Sequence, residues 1–196
     1  IAARLLIVQS NGGVVSPATA AREPVRLLLS GPSGGALGAR AIARTLRIPD
    51  LVGVDMGGTS FDVSVVRDDR IEIITQGEID QLPVRVPMIE IRTIGAGGGS
   101  IARVDATRRV TVGPESAGAL PGPVCYGHGG TEPTVTDANL LLGRLDAAYF
   151  LGGAMALDLD GARQALDNNF ARPLGLDVER AADGIIAITN TSLAAA

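Results

Sequence analysis

The feature that most restricts the fold is a pair of short apolar runs joined by one glycine-rich turn. Residues 51–54 and 61–66 are the two runs, and in the second one apolar residues alternate with polar ones. Runs of this length and alternation are typical of β-strands rather than helices. The segment therefore predicts a strand, a tight turn and a second strand.

The rest of the chain shows both strand and helix patterns. Apolar runs ending in turn residues predict strands at residues 5–8, 25–29, 71–75, 88–94, 100–105 and 109–112. Helical periodicity predicts helices at residues 33–46, at 137–142 with Thr136 as N-cap, from Asp158 or Asp160 to Phe170, and at 177–195. We expect a segment of strands and one helix (1–50), a β-rich segment (51–120), and a Gly/Pro-rich segment followed by helices (121–196). Together these segments are expected to form one continuous domain.

Composition excludes several kinds of chemistry. Lysine is absent, so all 17 basic side chains are arginine. A Walker A phosphate loop and a Schiff-base enzyme both require lysine. A single histidine and a single cysteine make a catalytic triad or a multi-histidine metal site unattractive. The net charge of -4 and the few aromatic residues give no surface typical of nucleic-acid binding, so we expect no nucleic-acid partner.

The chain also lacks the usual signals for export or membrane insertion. Cys125 is the lone cysteine, which excludes an internal disulfide and fits a cytoplasmic location. No apolar run approaches the ~20 residues that a membrane span needs, so no membrane partner is expected. The first residues contain neither Met nor a basic leader, and the last ones lie within an apolar-periodic stretch. We therefore expect an internal portion of a longer polypeptide.

The glycine-rich turn carries the residues best suited to phosphate chemistry. It contains Asp55, Gly57, Gly58, Thr59, Ser60 and Asp62. Glycines leave no Cβ in the way, so the N–H groups of Gly57 and Gly58 can approach phosphate oxygens, while Thr59 and Ser60 add hydroxyl donors. Asp55 can hold Mg²⁺, usually through its waters. An ordinary hairpin turn that needs glycine is the alternative.

Three further sites have two interpretations each. Asp62 either assists catalysis or anchors the hairpin by accepting hydrogen bonds from backbone N–H groups. The glycine-rich residues 95–100, with Gly97 and Gly98 at the centre, form either a second anion loop or a turn with room for a neighbouring backbone. Cys125, His128 and Asp137 are zinc-ligand types within a dozen residues. A buried cysteine that serves packing is the other interpretation there.

The order of helix, strand, Asp55 loop and strand resembles part of the actin, hexokinase and heat-shock-chaperone ATPases. Residues 55–64 are similar to the second phosphate loop of the chaperones without a gap, with Thr59 where a third Gly is usual and Ser60 where Thr is usual. The resemblance implies an α/β fold of the actin-like ATPase, ribonuclease H-like type, in part, with a mixed β-sheet and flanking helices. We expect ATP and Mg²⁺ as cofactors, and we take Asp55 and Asp62 as the candidate catalytic residues.

Other blocks narrow the resemblance. They are residues 9–13, 30–35, 94–100, 121–127 and 133–139. Together they resemble the hydantoinase/oxoprolinase family, A-type subunit, over nearly the whole chain. The resemblance implies ATP-dependent hydrolysis of a cyclic amide, such as a hydantoin or 5-oxoproline, after phosphorylation of the ring carbonyl oxygen. Relatives phosphorylate ketones for carboxylation. A B-type subunit and further copies of the chain are the implied protein partners.

The resemblance also implies nucleotide-contacting segments that these residues do not contain. They are a first Asp-x-Gly-Gly-Thr loop and a glycine-rich adenosine loop. We therefore expect this chain alone to bind ATP weakly or not at all. Two other interpretations stay open: a chaperone- or actin-like nucleotide switch without amidase chemistry, and a structural fragment without activity.

Overall fold

The computed structural model describes residues 5–79 and 82–195. Residues 1–4 of the expected segment 1–50, residues 80 and 81 of the segment 51–120 and residue 196 of the segment 121–196 lie outside the described part. These residues form two compact units. The first contains the chain up to Asp55 together with Asp62–Thr93, and the second contains Met56–Phe61 and the chain from Ile94 onward. Each unit is described separately below.

The elements are short and numerous. The strands are β1 (Ile7–Val8), β2 (Val14–Val15), β3 (Leu51–Met56), β4 (Phe61–Arg67), β5 (Arg70–Ile71), β6 (Ile73–Ile74), β7 (Gly77–Ile79), β8 (Leu82–Val84), β9 (Met88–Ile89), β10 (Ile91–Ile94), β11 (Ser100–Val104) and β12 (Val110–Ser116). The α-helices are α1 (Pro17–Arg22), α2 (Ser30–Leu46), α3 (Val135–Leu141), α4 (Leu159–Leu166), α5 (Arg172–Leu174) and α6 (Val178–Ala194). Short 3-10 helices lie at Pro24–Leu27, Val124–Tyr126 and Leu151–Gly153, and a π-helix lies at Asp167–Ala171.

The first unit is built on a four-stranded sheet. Three of its strands run in the order β10-β4-β3. The fourth strand, β5, pairs antiparallel with the C-terminal end of β4, where Val66 lies opposite Ile71. The predicted strand, turn and strand at residues 51–66 are thus confirmed. Small two-stranded antiparallel sheets, β1 with β2, β6 with β9 and β7 with β8, complete the unit.

Helix α2 is attached to the rest of the first unit by polar contacts near both of its ends. Ser33, buried in its first turns, donates its hydroxyl to Ser10 O at 2.9 Å. Near the other end, Arg44 Nε lies 2.7 Å from Asp69 Oδ1, and this guanidinium lowers the pKa of the Asp69 carboxyl. The helix predicted from residue 33 is confirmed but begins at Ser30, because Pro32 falls in the first turn, where proline is tolerated.

Three strand predictions in the first unit are wrong wholly or in part. The strand predicted at residues 71–75 is divided at Glu72 into β5 and β6. Residues 25–29 are not a strand: Pro24 opens a 3-10 helix there, and the Ser10 hydroxyl donates to Arg26 O at 2.8 Å, so no strand ladder forms. The single strand predicted at residues 88–94 is divided at Glu90. Its first half pairs with β6, and its second half lies beside β4.

The second unit has a hydrophobic core between one hairpin and the C-terminal helices. β11 and β12 pair antiparallel, with Ala102 opposite Val112. The buried residues Leu166, Phe170 and Ile185 join this core from the helical side. The predicted strands and C-terminal helices are confirmed here, with Asp158 rather than Asp160 as the cap of α4. Within the described residues, no helix combines the length and the apolar character needed to cross a membrane.

Helix α3 begins differently from the prediction. Its N-cap is Thr134 rather than Thr136. The reason is a reciprocal capping box: Asp137 N donates to the Thr134 hydroxyl at 3.4 Å, and Thr134 N donates to Asp137 Oδ2 at 2.8 Å. Thr136 therefore lies in the first turn, and its hydroxyl is not needed for capping.

Candidate functional site

Residues 57–60, called the exposed loop below, connect β3 to β4. The turn is closed by one hydrogen bond from Gly57 N to Ser60 O at 2.9 Å. Residues 57–59 are exposed and Ser60 is half-buried. A Cβ added at Gly58 would meet no atom within 4 Å. The loop is thus open to a ligand on at least one side.

A second glycine-rich segment, residues 95–100, lies directly against the exposed loop within the second unit and is called the supporting loop. Gly98 N donates to Gly57 O at 3.0 Å, and Gly99 N donates to Gly58 O at 2.6 Å. Gly97 N donates to the buried Ser100 hydroxyl at 2.9 Å. The N–H groups at the centre of the supporting loop are therefore already occupied.

The glycines of the supporting loop allow this close approach. A Cβ on Gly97 would lie 2.7 Å from Gly57 O, and a Cβ on Gly99 would lie 2.8 Å from Gly58 O. Both distances are shorter than carbon–oxygen packing allows, so any larger residue would push the two backbones apart. Of the two interpretations of this segment, the geometry fits a turn with room for a neighbouring backbone. The N–H groups of Gly97 and Gly98 have no hydrogen left to offer an anion.

The contact between the loops determines where the exposed N–H groups point. In a trans peptide the C=O and the following N–H point in opposite directions. Because Gly57 O and Gly58 O face the supporting loop, the N–H groups of Gly58 and Thr59 face away from it. Within the described part of the chain, the N–H groups of residues 58–60 donate to no protein acceptor. The N–H groups of Gly58 and Thr59 thus face solvent, while the C=O groups of the same two peptides are bonded to the supporting loop.

Residues outside both loops hold this pair in place. Thr136 donates both its N–H and its hydroxyl to Gly98 O, each at 2.8 Å. Ala117 N donates to Gly99 O at 2.8 Å, and the Ser116 hydroxyl reaches Gly58 O at 3.4 Å. Sequence reasoning missed Thr136 and Ser116 as members of the site. The only signal for Thr136 was its position in the distinctive block at residues 133–139.

The two acidic residues of the motif line one cavity in the first unit. The cavity has a volume of about 320 Å³, and its lining includes Asp55, Asp62 and the small residues Gly35 and Ala39 of α2. Asp62 Oδ1 accepts a hydrogen bond from the Thr93 hydroxyl at 2.5 Å, rather than from backbone N–H groups. That bond joins β4 to β10 and fixes the Asp62 side chain. Asp55 is exposed.

The three zinc candidates do not assemble into a metal site. Burial raises the pKa of the Cys125 thiol well above its usual range, and the neighbouring Asp137 carboxylate acts in the same direction. A thiol kept protonated is a poor zinc ligand. Asp137 is fully buried and accepts hydrogen bonds from Val124 N, Cys125 N and both the N–H and the hydroxyl of Thr134. Over residues 5–79 and 82–195, no group of three His, Cys, Asp or Glu side chains could hold a metal ion.

The fold and the two loops together define an α/β protein, built from several small sheets, in which a glycine loop presents backbone N–H groups to solvent. The chain belongs to the hydantoinase/oxoprolinase family, whose model matches residues 1–196. It is 45% identical over 185 residues to the caprolactamase subunit alpha of Pseudomonas jessenii, an alignment that covers 94% of this chain and 27% of the relative. The predicted family is thereby confirmed.

Two solved structures share the fold. The nucleotide-free structure of acetone carboxylase, from work on ATP-dependent acetone carboxylation, superposes with a TM-score of 0.87 at 35% identity, covering 97% of this chain and 27% of that one. The crystal structure of the ATP-dependent caprolactamase from Pseudomonas jessenii gives a TM-score of 0.80 at 45% identity, covering 94% of this chain and 27% of that one. The predicted α/β fold is confirmed. The chain spans about a quarter of the length of these relatives.

Proposed function

We propose that this chain supplies a phosphate-binding loop to an ATP-dependent enzyme that opens cyclic amides. The observation that carries the proposal is the pair of N–H groups on Gly58 and Thr59 that face solvent without a protein acceptor. Successive backbone N–H groups form concavities that bind anions such as phosphate. The similarity to an ATP-dependent caprolactamase supports a lactam as the substrate class.

The residues present fit a nucleotide phosphate bound together with magnesium. Thr59 and Ser60 place two hydroxyl donors in the exposed loop, and the exposed carboxylate of Asp55 lies two residues before Gly57 in the chain. Magnesium prefers oxygen ligands and keeps several of its waters, so we assign Asp55 to hold it through water. When bound, the metal neutralises negative charge on the transferring phosphate.

The proposed reaction follows from amide chemistry. Amide resonance makes the ring carbonyl a poor electrophile, so its oxygen first attacks the γ-phosphorus of ATP, forming an O–P bond while the bond to ADP breaks. Water then adds to the ring carbon and the C–N bond breaks, which gives a ring-opened acyl phosphate. A second water attacks the carbonyl carbon of this acyl phosphate, and phosphate departs with the former carbonyl oxygen. One ATP and two waters are consumed, and the products are a ring-opened acid, ADP and phosphate.

The protein's part in this reaction is positioning and charge stabilisation. The exposed loop binds phosphate oxygens through its N–H groups. We assign Asp62 a catalytic role, because the Thr93 hydroxyl fixes its carboxylate beside a cavity that Asp55 also lines. We also propose a B-type partner subunit and self-association, in line with a relative that is named as a subunit.

An isotope experiment on the full-length protein tests the proposal. Caprolactam, 5-oxoproline and a hydantoin, each labelled with ¹⁸O at the ring carbonyl that is hydrolysed, are incubated with Mg-ATP. The released phosphate and the ring-opened product are analysed by mass spectrometry. We expect one substrate to yield ¹⁸O-labelled phosphate with one ADP per ring opened. Ring opening with unlabelled phosphate would contradict phosphorylation of the carbonyl oxygen.

One observation favours a second substrate class, ketones. The TM-score of 0.87 belongs to a protein that carboxylates acetone. A ketone oxygen can be phosphorylated in the same way as a lactam oxygen, so acetone and acetophenone with bicarbonate form a second arm of the same assay. ATP hydrolysis stimulated only by unfolded peptides would instead favour the nucleotide-switch interpretation.

A further inference from the structure

We propose that Thr136 is a positioning residue of the exposed loop, acting through Gly98 and Gly99 to fix the direction of the Thr59 N–H group. This inference rests on the proposed function, because it assumes that the Thr59 N–H binds phosphate. All the residues involved belong to the second unit.

The first step is the contact between Thr136 and the supporting loop. Thr136 is buried, and both of its donors converge on one acceptor, Gly98 O, at 2.8 Å. A Cβ on Gly98 would lie 2.8 Å from the Thr136 hydroxyl oxygen, so this contact requires glycine at position 98. The capping of α3 is carried out by Thr134 and Asp137. The Thr136 hydroxyl is therefore not needed for capping, and besides its bond to Gly98 O it interacts with the Tyr126 hydroxyl.

The second step passes through two peptide groups in series. Gly98 O and Gly99 N–H belong to the same peptide and point in opposite directions. Thr136 holds one end of that peptide, and its other end donates to Gly58 O at 2.6 Å. Gly58 O and the Thr59 N–H in turn share a peptide. The Thr136 hydroxyl, two peptide planes and the Thr59 N–H thus form one hydrogen-bonded series that ends at solvent.

The series affects both the direction and the strength of the final donor. Peptides linked end to end polarise one another, so a donor at one end strengthens the donor at the other. Without the hydroxyl, Gly98 O keeps only the backbone bond from Thr136 and the 98–99 peptide gains rotational freedom. The Thr59 N–H would then be less fixed in direction and weaker. Phosphate binding should suffer more than the stability of the fold.

Matched threonine variants of the full-length protein test this inference. Thr136→Val removes the hydroxyl and keeps the shape, and Thr136→Ser restores the hydroxyl. The control is Thr189→Val, because Thr189 is a buried threonine of α6 whose hydroxyl also donates to a backbone carbonyl, Ile185 O, at 2.8 Å. Within the described residues, the Thr189 side chain has no hydrogen bond to either loop.

We expect the loss of one hydrogen bond to raise the KM for ATP about fivefold in Thr136→Val, with kcat changed less than about twofold. Thr136→Ser should stay within about twofold of the wild type, and Thr189→Val should lower Tm without changing the KM. A Thr136→Val protein that loses Tm as the control does while keeping its KM for ATP would overturn the inference. An equal defect in Thr136→Ser would also overturn it, since the methyl group would then be responsible.

A variant at Gly98, the other partner of the hydrogen bond from Thr136, keeps the inference testable if Thr136→Val does not fold. Gly98→Ala displaces the Thr136 hydroxyl from Gly98 O, and we expect the same rise in KM for ATP. An unchanged KM in Gly98→Ala refutes the inference even if Thr136→Val does not fold. Failure of the proposed function looks different: the wild-type protein and a Gly58→Val variant would then share the same ATP kinetics.

Discussion

Two glycine-rich loops of similar composition lie against each other in the second unit, and they use glycine for opposite purposes. In the exposed loop, residues 57–60, the space beside Gly58 is empty and the N–H groups of Gly58 and Thr59 face solvent. In the supporting loop, residues 95–100, the space beside Gly97 is filled by the neighbouring backbone and the N–H groups of residues 96–100 are bonded. Glycine content alone therefore does not identify a phosphate site. A phosphate site is identified by whether its N–H groups face solvent or are already bonded within the protein.

The comparison assigns different sensitivities to the two loops. Changes in the supporting loop should alter stability because they disturb a packed backbone contact, and should alter ligand binding only through the exposed loop that this contact positions. Changes in the exposed loop should alter ligand binding and leave stability nearly unchanged.

The start of α3, which carries Thr136 and thereby holds the supporting loop, depends most on Asp137. Replacing it by Asn places an NH₂ group among donors that now bond a buried carboxylate, so we expect Asp137→Asn to lower the free energy of unfolding by about 3 kcal/mol. Urea denaturation of the full-length protein measures this loss. Asp160→Asn is the control, because Asp160 is exposed in the first turn of α4. Equal stability of the two variants would show that the Asp137 carboxylate does not stabilise the start of α3.

A pair of alanine variants separates the loops directly. Gly97→Ala forces a Cβ against Gly57 O at 2.7 Å and should lower the free energy of unfolding by about 2 kcal/mol. Gly58→Ala enters open space and should change stability by less than about 0.5 kcal/mol. Thermal unfolding of both variants provides the comparison. The distinction between the loops fails if Gly58→Ala is the more destabilising of the two.

The serines of the two loops offer a milder version of the same contrast. Ser100→Ala leaves Gly97 N–H buried without its acceptor, which should lower the free energy of unfolding by about 1.5 kcal/mol. Ser60→Ala should leave stability unchanged but raise the KM for ATP, since Ser60 lies in the exposed loop. ATPase kinetics and urea denaturation of both variants test this. A Ser100→Ala protein as stable as the wild type would contradict the role given to the supporting loop.

The smallest effect concerns the pH dependence of the buried region around Cys125. Because burial raises the pKa of this thiol in the folded protein, the unfolded chain loses the proton first. Stability should therefore be fully present below the ordinary thiol pKa of about 8.5 and decrease as the pH rises above it. Thermal unfolding at pH 7 and pH 9 should show a smaller loss for Cys125→Ala than for the wild type. An identical loss in both proteins would indicate an ionised or accessible thiol.

Local patterns accounted for much of the fold. The alternation at residues 61–66 predicted β4, and the periodicity of residues 33–46 predicted most of α2. The predicted strand at residues 25–29 failed although a local signal was present, since Pro24 favours the start of a helical turn. The cap of α3 was also readable, because Thr134 and Asp137 have the spacing of a capping box.

The site was less accessible to sequence reasoning because it depends on long-range contacts. The exposed loop was located from its own residues, but the function of the supporting loop depends on bonds between residues 57–58 and 98–99. The contact of Thr136 with Gly98 spans 38 positions. No local pattern specifies which N–H groups such contacts occupy. Composition therefore left two interpretations of residues 95–100 that only the three-dimensional structure separated.

Hydrogen–deuterium exchange of the full-length protein, with and without Mg-ATP, distinguishes a phosphate-binding exposed loop from a supporting loop whose N–H groups are already bonded. Peptides covering residues 57–60 should exchange rapidly without nucleotide and become protected when Mg-ATP is added. Peptides covering residues 95–100 should already be protected without nucleotide and change little. Protection of residues 95–100 by Mg-ATP, with the exchange of residues 57–60 unchanged, would contradict phosphate binding at the exposed loop.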